Sequence, residues 1–544
     1  MKTTARNIKE RLGLTFMLLF LSSAISAQSI EDGKRQIDYM QYKGAKNVFS
    51  KVLKQNPSDS KTFFWLGESY FLLGNQDSAL YYFDNGIKLD YNDPYNHVGV
   101  GMIGLMKNNQ ADAQKGFGKA ISINKSKDAY IYVLLADAYI KSKDFDQALI
   151  YLGKAKTIDK MVGEIYIKYA DIFMAQNKAG DALTQLERAT DLNKNFAKAY
   201  YYIGYINSLT KNATTYPEAK KAFQAVMAID SNYVPMWKEL AELEFAAGKY
   251  ELMSKDYKKY ISIADYTLED RIRYASALFL NKEYESSTKE IDAIFKIDSS
   301  NVILKRLLAY SSYETGDYAK GLNYINKFFE KIEPEKIIAQ DYIYKAKLLL
   351  KTGQDSLSIL SFQKAVEKDS SQYEIWSDAA KEFDKQKKFK YSIIAYNKLI
   401  EKRPEPLSQD YYPLGRAYYF SAADPKLDSN TVKGLYIKAD TAFGKVIELK
   451  KDSYLGYLWK ARTQQYMDPT MEKGLAKPFY EKVLELTEAT KDKRKAEIIE
   501  ANTSLGNYYY YIKNDKPASK ACWEKIKELD PTNKTAEDML KKIK

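Results

Sequence analysis

A small residue returns along this chain at a nearly fixed spacing: Gly67, Gly101, Ala136, Ala170, Gly204, Ala241, Ala275, Ala309, Ala346 and Ala380. Successive members lie 34 residues apart, with departures of a few residues in some steps. The stretch FFWLGESYFLLGNQDSALYYF at 63–83 shows what surrounds each one. It reads as two amphipathic helices joined by a short turn, with Leu66, Gly67 and Tyr70 on the first and Ala79 and Phe83 on the second. A glycine inside a helix costs roughly 1 kcal/mol of propensity relative to alanine, so its recurrence needs a structural reason. Interlocking helices supply one, because a small side chain on one helix lets a large one on the other fill the contact. Gly67 marks the close approach, Ala79 faces it, and Tyr70 and Phe83 fill the surrounding space.

The pattern recurs. LLADAY at 134–139 is followed by Ala148, Leu152 and Ala155, and IKYADIF at 167–173 by Ala182, Leu186 and Ala189. YYIGYIN at 201–207 precedes Ala219, Phe223 and Val226, and SLGNYYY at 504–510 carries the spacing to the far end. A period of about 34 residues built from helix–turn–helix pairs marks tetratricopeptide repeats. The chain resembles that family over nearly all its mature length, in about fourteen repeats. The family pattern W-x2-L-G-x2-Y, then A-x3-F, then P, is met by FWLGESY with Ala79 and Phe83, and by YYPLGRAYY with Phe443. Its closing proline appears as Pro57, Pro404 and Pro531, and many repeats lack it. The resemblance implies an all-α, right-handed superhelical solenoid of helix–turn–helix repeats whose inner face binds peptides or proteins. It implies no enzymatic activity and no cofactor.

At 544 residues the chain exceeds one ordinary core, as a repeat array requires. Its 47 tyrosines against 13 prolines and 25 glycines suit helices packed through large amphipathic side chains. Residues 1–27 read as a secretory signal peptide: Lys2, Arg6, Lys9 and Arg11, then the apolar LGLTFMLLFLSSAISA, with cleavage before Gln28. The expected product is exported, to the periplasm or the outer membrane, with no membrane span after cleavage. Beyond the leader the expected organisation is an amino-terminal array at 28–235, a central array at 236–407, a carboxy-terminal array with inserted loops at 408–532, and a capping helix at 533–544. Formal net charge is +13, and removing residues 1–27 takes away four basic residues and Glu10, leaving +10. The excess is scattered as single lysines on polar faces, which does not suit nucleic acid. The Lys-, Asn- and Tyr-rich composition and the SAQ junction are similar to exported proteins of the Bacteroidota. That resemblance implies an accessory of outer-membrane uptake or secretion machinery.

Much chemistry is excluded. With His97 as the sole histidine and Cys522 as the sole cysteine, histidine zinc sites, Ser-His-Asp triads and Cys-His pairs are nearly excluded, and no internal disulfide can form. His97 is expected to be structural and Cys522 a small packing residue. Paired carboxylates stay open, since acidic residues occur on every helix surface. GVGMIG at 99–104 matches a dinucleotide fingerprint, but that motif works only between a strand and a helix. Here it falls inside an expected helix, so its glycines are read as packing residues.

The period breaks twice, with about twelve extra residues at 420–438 and a smaller excess at 466–478. Inserts in a repeat array are expected to form loops on one face. An alternative function places a glycan-binding or enzymatic module on these two inserts. The family's clamp for a C-terminal carboxylate uses Lys and Asn one turn apart on a first helix. The corresponding pairs here, among them Phe64/Glu68, Val133/Asp137 and Lys238/Glu242, do not match it. On the inward register of the first helices the amino-terminal half is mixed, with Glu68, Asp137, Asp171 and Lys238. From Arg306 onward it turns aromatic and basic: Arg306, Tyr310, Tyr313, Tyr412, Arg416, Tyr419 and Arg462. Tyrosine and arginine are frequent interface anchors, so these seven are the candidate site for an acidic or aromatic-rich protein segment.

Overall fold

A computed structural model describes residues 30–210 and 214–543; the leader read at 1–27 lies outside the described residues. Helices alternate with short turns, and no strand occurs among the described residues. Most first helices pack most closely on the helix that follows: Ser60–Leu72 on Gln76–Leu89, Ala129–Lys141 on Phe145–Ile158, and Lys495–Asn507 on Lys516–Leu529, whereas Tyr454–Met467 packs about equally on both neighbours. The chain is thus an all-α helical-repeat protein. It divides into two compact units, residues 1–299 and 300–544.

Local sequence sets the helix ends. Asp59, Asn75, Asp93, Asn109, Asp128 and Asp144 each stand before a helix, and their side-chain oxygens accept a backbone N–H of its first turn. Such a cap contributes about 1 kcal/mol. Within a repeat, the first helix stops at a residue in the left-handed region: Met40, Gly74, Asn108, Lys143, Asn177, Gly248, Lys282, Gly316, Gly353 and Lys387. These positions keep the same period as the small residues. Around Gly74 the helix closes through Asn75 N to Tyr70 O and Gly74 N to Phe71 O, both 2.9 Å, which satisfies its last carbonyls.

Glycine at the register position always faces an aromatic ring. A Cβ on Gly67 would come within 2.5 Å of the Phe83 ring, one on Gly101 within 2.5 Å of Phe117, and one on Gly204 within 2.5 Å of Phe223. Gly33 against Phe49, Gly415 against Phe443 and Gly506 against Trp523 repeat the arrangement. Where alanine stands instead, as at Ala136, Ala170, Ala275 and Ala309, the residue sixteen positions on is Leu152, Leu186, Ile291 or Ile325. Glycine at the register position always makes room for a ring, whereas alanine precedes a branched aliphatic residue at these four positions and a ring at Ala241, Ala346 and Ala380, sixteen residues before Tyr257, Phe362 and Tyr396. Gly33 extends the register one repeat upstream of Gly67.

First helices are the inner layer. Ala129–Lys141 buries nine of its residues and its partner Phe145–Ile158 only three, Ala148, Leu152 and Ala155. First helices also touch one another from repeat to repeat, as Ser60–Leu72 does with Pro94–Met106 and Pro94–Met106 with Ala129–Lys141. GVGMIG lies inside Pro94–Met106, where Gly99 meets Phe83, Gly101 meets Phe117 and Gly104 meets the backbone of Ala113; its glycines serve packing.

The inserts depart from the expected loops. Most of 420–438 is helical, and it lengthens a second helix to the 21 residues of Ser429–Leu449 against 14 in Phe145–Ile158. Asp428 caps it, with its carboxylate accepting from the backbone of Asn430 and Thr431 at 3.0 Å, so the turn formers start a helix rather than prolong a loop. Residues 468–476 do form a turn-rich loop, pinned where Leu475 N donates to Asp468 Oδ2 at 3.3 Å. At the end of the second unit, Ala536, Met539 and Ile543 of Lys534–Ile543 pack on Trp523 and Ile526.

The ring-for-glycine pairing predicts that Gly67→Ala destabilises the protein by about 1–3 kcal/mol through overpacking. Phe83→Leu in the same chain should recover part of that loss. A thermal-melting double-mutant cycle measures it, and additive effects would contradict the pairing.

Candidate functional site

In the amino-terminal unit the chain contacts itself across the inner layer, beside a cavity of about 510 Å³ lined by Trp65, Tyr95, Tyr130 and Glu164. The first repeat reaches across to later ones: Lys198 Nζ donates to Asp38 Oδ1 at 2.8 Å, Gly44 N to Asp265 Oδ2 at 3.1 Å, and the Tyr39 hydroxyl to Asp230. The Tyr39 ring meets Tyr233 edge-on at 5.5 Å. Of the mixed charges on the inward register, Asp137, Asp171 and Lys238 pair off, whereas Glu68 Oε2 is buried without a hydrogen-bond partner among the described residues. Asp137 binds Lys141 at 2.7 Å and Lys168 at 2.5 Å, Lys168 binds Asp171 at 3.1 Å, and Lys238 binds Asp270 at 2.7 Å. Burial opposes ionisation of Asp137, but its two lysines outweigh burial and hold the carboxyl below its usual range. Burial pushes the Glu68 carboxyl up, and Asp137 adds to the effect. A surface that satisfies its own charges offers little to a charged partner.

In the carboxy-terminal unit the seven candidate residues fall into two groups. Arg306 holds Asp341 with both arms, Nε to Oδ1 at 2.6 Å and Nη2 to Oδ2 at 2.7 Å, and donates to Lys336 O at 3.0 Å. The Tyr310 hydroxyl donates to Asp341 at 2.7 Å, its ring stacks on Tyr344 at 3.9 Å, and Tyr313 meets Tyr344 edge-on at 5.6 Å. This group bolts one repeat to the next. Arg462 likewise grips Glu500, at 2.7 and 2.6 Å. Arg306 and Arg462 therefore have a packing reason for their place on the register that the sequence reading did not see. Opposite charges about one period apart were the signal: 306 with 341, 462 with 500, 238 with 270.

Tyr412, Arg416, Tyr419 and Arg462 gather around Trp459, which sequence reasoning missed. Arg416 lies 5.9 Å from the Tyr412 ring, 5.5 Å from Phe420 and 5.3 Å from Trp459. Arg462 covers Trp459 at 4.6 Å, and Tyr419 meets it edge-on at 5.2 Å. Arg416 differs from the other two arginines: it is exposed, held by rings, and has no ion pair among the described residues. It lines a cavity of about 550 Å³ with Lys385, Lys387, Phe389, Phe420 and Asp384. Burial raises the Asp384 carboxyl, whose oxygens are taken by Ser392 and by Tyr396 at 3.0 Å. That corner is thus basic and aromatic.

His97 is buried, with Nε2 2.9 Å from Tyr91 O. Burial pushes the Cys522 thiol up to about 11, too high for a reactive thiolate at neutral pH. Among the described residues no three metal-ligating side chains converge, and no helix is long and apolar enough to cross a membrane.

The tetratricopeptide repeat profile matches residues 41–96 and 129–160. The chain is similar to the solved C-terminal part of a TPR repeat-containing protein from Cytophaga hutchinsonii, 36% identical over 49% of this chain and 98% of that one, with a TM-score of 0.37. It is similar to tetratricopeptide repeat protein 1 of Schizosaccharomyces pombe, at 22% identity over 49% of this chain and 27% of that protein. It also resembles a TPR repeat-containing protein of Methanocaldococcus jannaschii, at 23% over 44% of this chain and 43% of that protein. The matches thus span less than half the length of these two curated relatives.

The three arginines should separate in a stability assay. Arg306→Leu leaves Asp341 buried and unpaired, at a cost of about 3–5 kcal/mol. Arg416→Leu loses only ring contacts and should cost about 1 kcal/mol or less. Urea unfolding of both variants is the check, and equal losses would contradict the distinction.

Proposed function

The chain belongs to the tetratricopeptide repeat family, whose repeats serve as protein-interaction scaffolds, and from that premise we propose an exported, non-enzymatic scaffold for a protein partner in the bacterial cell envelope. We assign it as an accessory of outer-membrane uptake or secretion machinery. The leader and the Bacteroidota-like composition support the location. The observation that carries the partner reading is Arg416, an exposed guanidinium braced by three rings, with no ion pair among the described residues and only the longer-range field of Asp384 opposing its charge. With Lys385, Lys387, Phe389 and Phe420 it forms a surface whose complement is an acidic segment carrying aromatic side chains. The amino-terminal unit pairs Asp137, Asp171 and Lys238 internally, which favours the carboxy-terminal unit for this role. Tyr412 and Arg416 remain in the proposed contact surface, whereas Arg306, Tyr310, Tyr313 and Arg462 support it as inter-repeat struts.

Two measurements test this reading. N-terminal sequencing of native protein should begin at Gln28 in a soluble envelope fraction, and an intact Met1 in membranes would rule out the processed form. Partners captured from the native envelope and identified by mass spectrometry should bind the purified chain with an affinity that falls with salt. Truncating Tyr412 and Arg416 to alanine should weaken each true partner by about 2 kcal/mol or more while leaving helicity intact. Unchanged capture by that folded variant would remove this surface from the mechanism.

A further inference from the structure

The two places where the sequence breaks its period meet in space. Tyr436, on the helix lengthened by the first insert, and Tyr466, at the start of the second, stack with centroids 5.0 Å apart and 11° between planes. Tyr419 meets both edge-on, at 5.6 and 5.5 Å. Tyr436 covers one face of Tyr466, yet Tyr466 stays 59% exposed and lines a cavity of about 530 Å³, within the roughly 300–1,000 Å³ of small-molecule sites.

The rest of the wall is polar but electrically balanced. Arg462 and Glu500 face the cavity and neutralise each other through two bonds. Gln465 Oε1 accepts from the Tyr480 hydroxyl at 2.9 Å. Its Nε2, the Ser504 hydroxyl and the Asn507 amide, all lining the cavity, have no hydrogen-bond partner among the described residues. This combination selects by chemistry. A charged ligand would find the Arg–Glu pair already satisfied. An apolar ligand would strand the amides and the hydroxyl, which is costly. A neutral ring with C–H faces and hydroxyl edges satisfies both halves, with its face on the tyrosine and its hydroxyls on Gln465, Ser504 and Asn507.

We propose that this cavity, walled by repeat helices and by Tyr466 and Pro469 of the second insert, is a saccharide site that binds a neutral hexopyranose unit of a glycan. It goes beyond the scaffold reading and uses residues other than the Arg416 surface, so either assignment can fail without the other.

Saturation-transfer NMR on the full chain with maltotriose, cellotriose and triacetylchitotriose tests it. At least one sugar should bind saturably. Tyr466→Ala should weaken that binding about tenfold or more, Tyr466→Phe should retain it, and Arg416→Ala should leave it unchanged. Circular dichroism confirms that the exposed Tyr466→Ala variant is folded. No transfer to any of the three sugars, or transfer that survives Tyr466→Ala, overturns the proposal. A peptide occupant would appear as a capped, neutral Gly-Ser hexapeptide binding in a Tyr466-dependent way while the sugars do not, and that too overturns it.

Discussion

The contact between a small residue on one helix and a large one on its partner sets everything else in this protein. At Gly67 and Phe83 the ring occupies the volume that any side chain at position 67 would need. Close approach there brings the two helices into continuous van der Waals contact, and dispersion summed over that contact stabilises the pair. Because each pair hides only part of its apolar surface, the next pair must cover the remainder, and the stack grows repeat by repeat. Glycine at the register always meets a ring, while alanine accepts either a branched aliphatic residue or, at Ala241, Ala346 and Ala380, a ring sixteen residues on.

Apolar packing aligns helices but does not choose which polar groups remain for a partner. That choice falls to a ladder of polar contacts about one period apart, such as Ser60 to Asp93 at 2.5 Å, Tyr95 to Asp128 at 2.7 Å, Lys388 to Asp355 at 2.8 Å and Arg306 to Asp341. A buried carboxylate such as Asp341 is tolerable only because a guanidinium and a phenol meet it from neighbouring turns. Every group spent in this way is withdrawn from recognition. Arg416 stands apart because rings, which bind a cation without neutralising it, hold it in place of a direct ion pair, with Asp384 acting on it only through space.

The inserts act differently from the loops expected of them. The first adds turns ahead of Tyr436, where the ordinary second helix would begin, and the second follows the helix that carries Tyr466. The two tyrosines stack into an aromatic wall without disturbing the contact of Gly415 with Phe443.

By itself the sequence determined the period, the all-α class, the helix pairs, the packing role of the GVGMIG glycines and the structural role of His97. Each of these depends on side-chain size and spacing along one chain, and helical periodicity converts that spacing into a face. The same logic could place Arg306, Arg416 and Arg462 at one register position but could not tell them apart. Only the tertiary structure did so, since the fate of each guanidinium rests on what a neighbouring repeat presents at hydrogen-bond distance: Asp341, Glu500, or the rings of Tyr412, Phe420 and Trp459. Likewise, that residues near 38 meet residues near 198 and 230, or that Tyr436 stacks on Tyr466, follows from the small rotation accumulated between successive helix pairs. Local spacing does not encode that rotation.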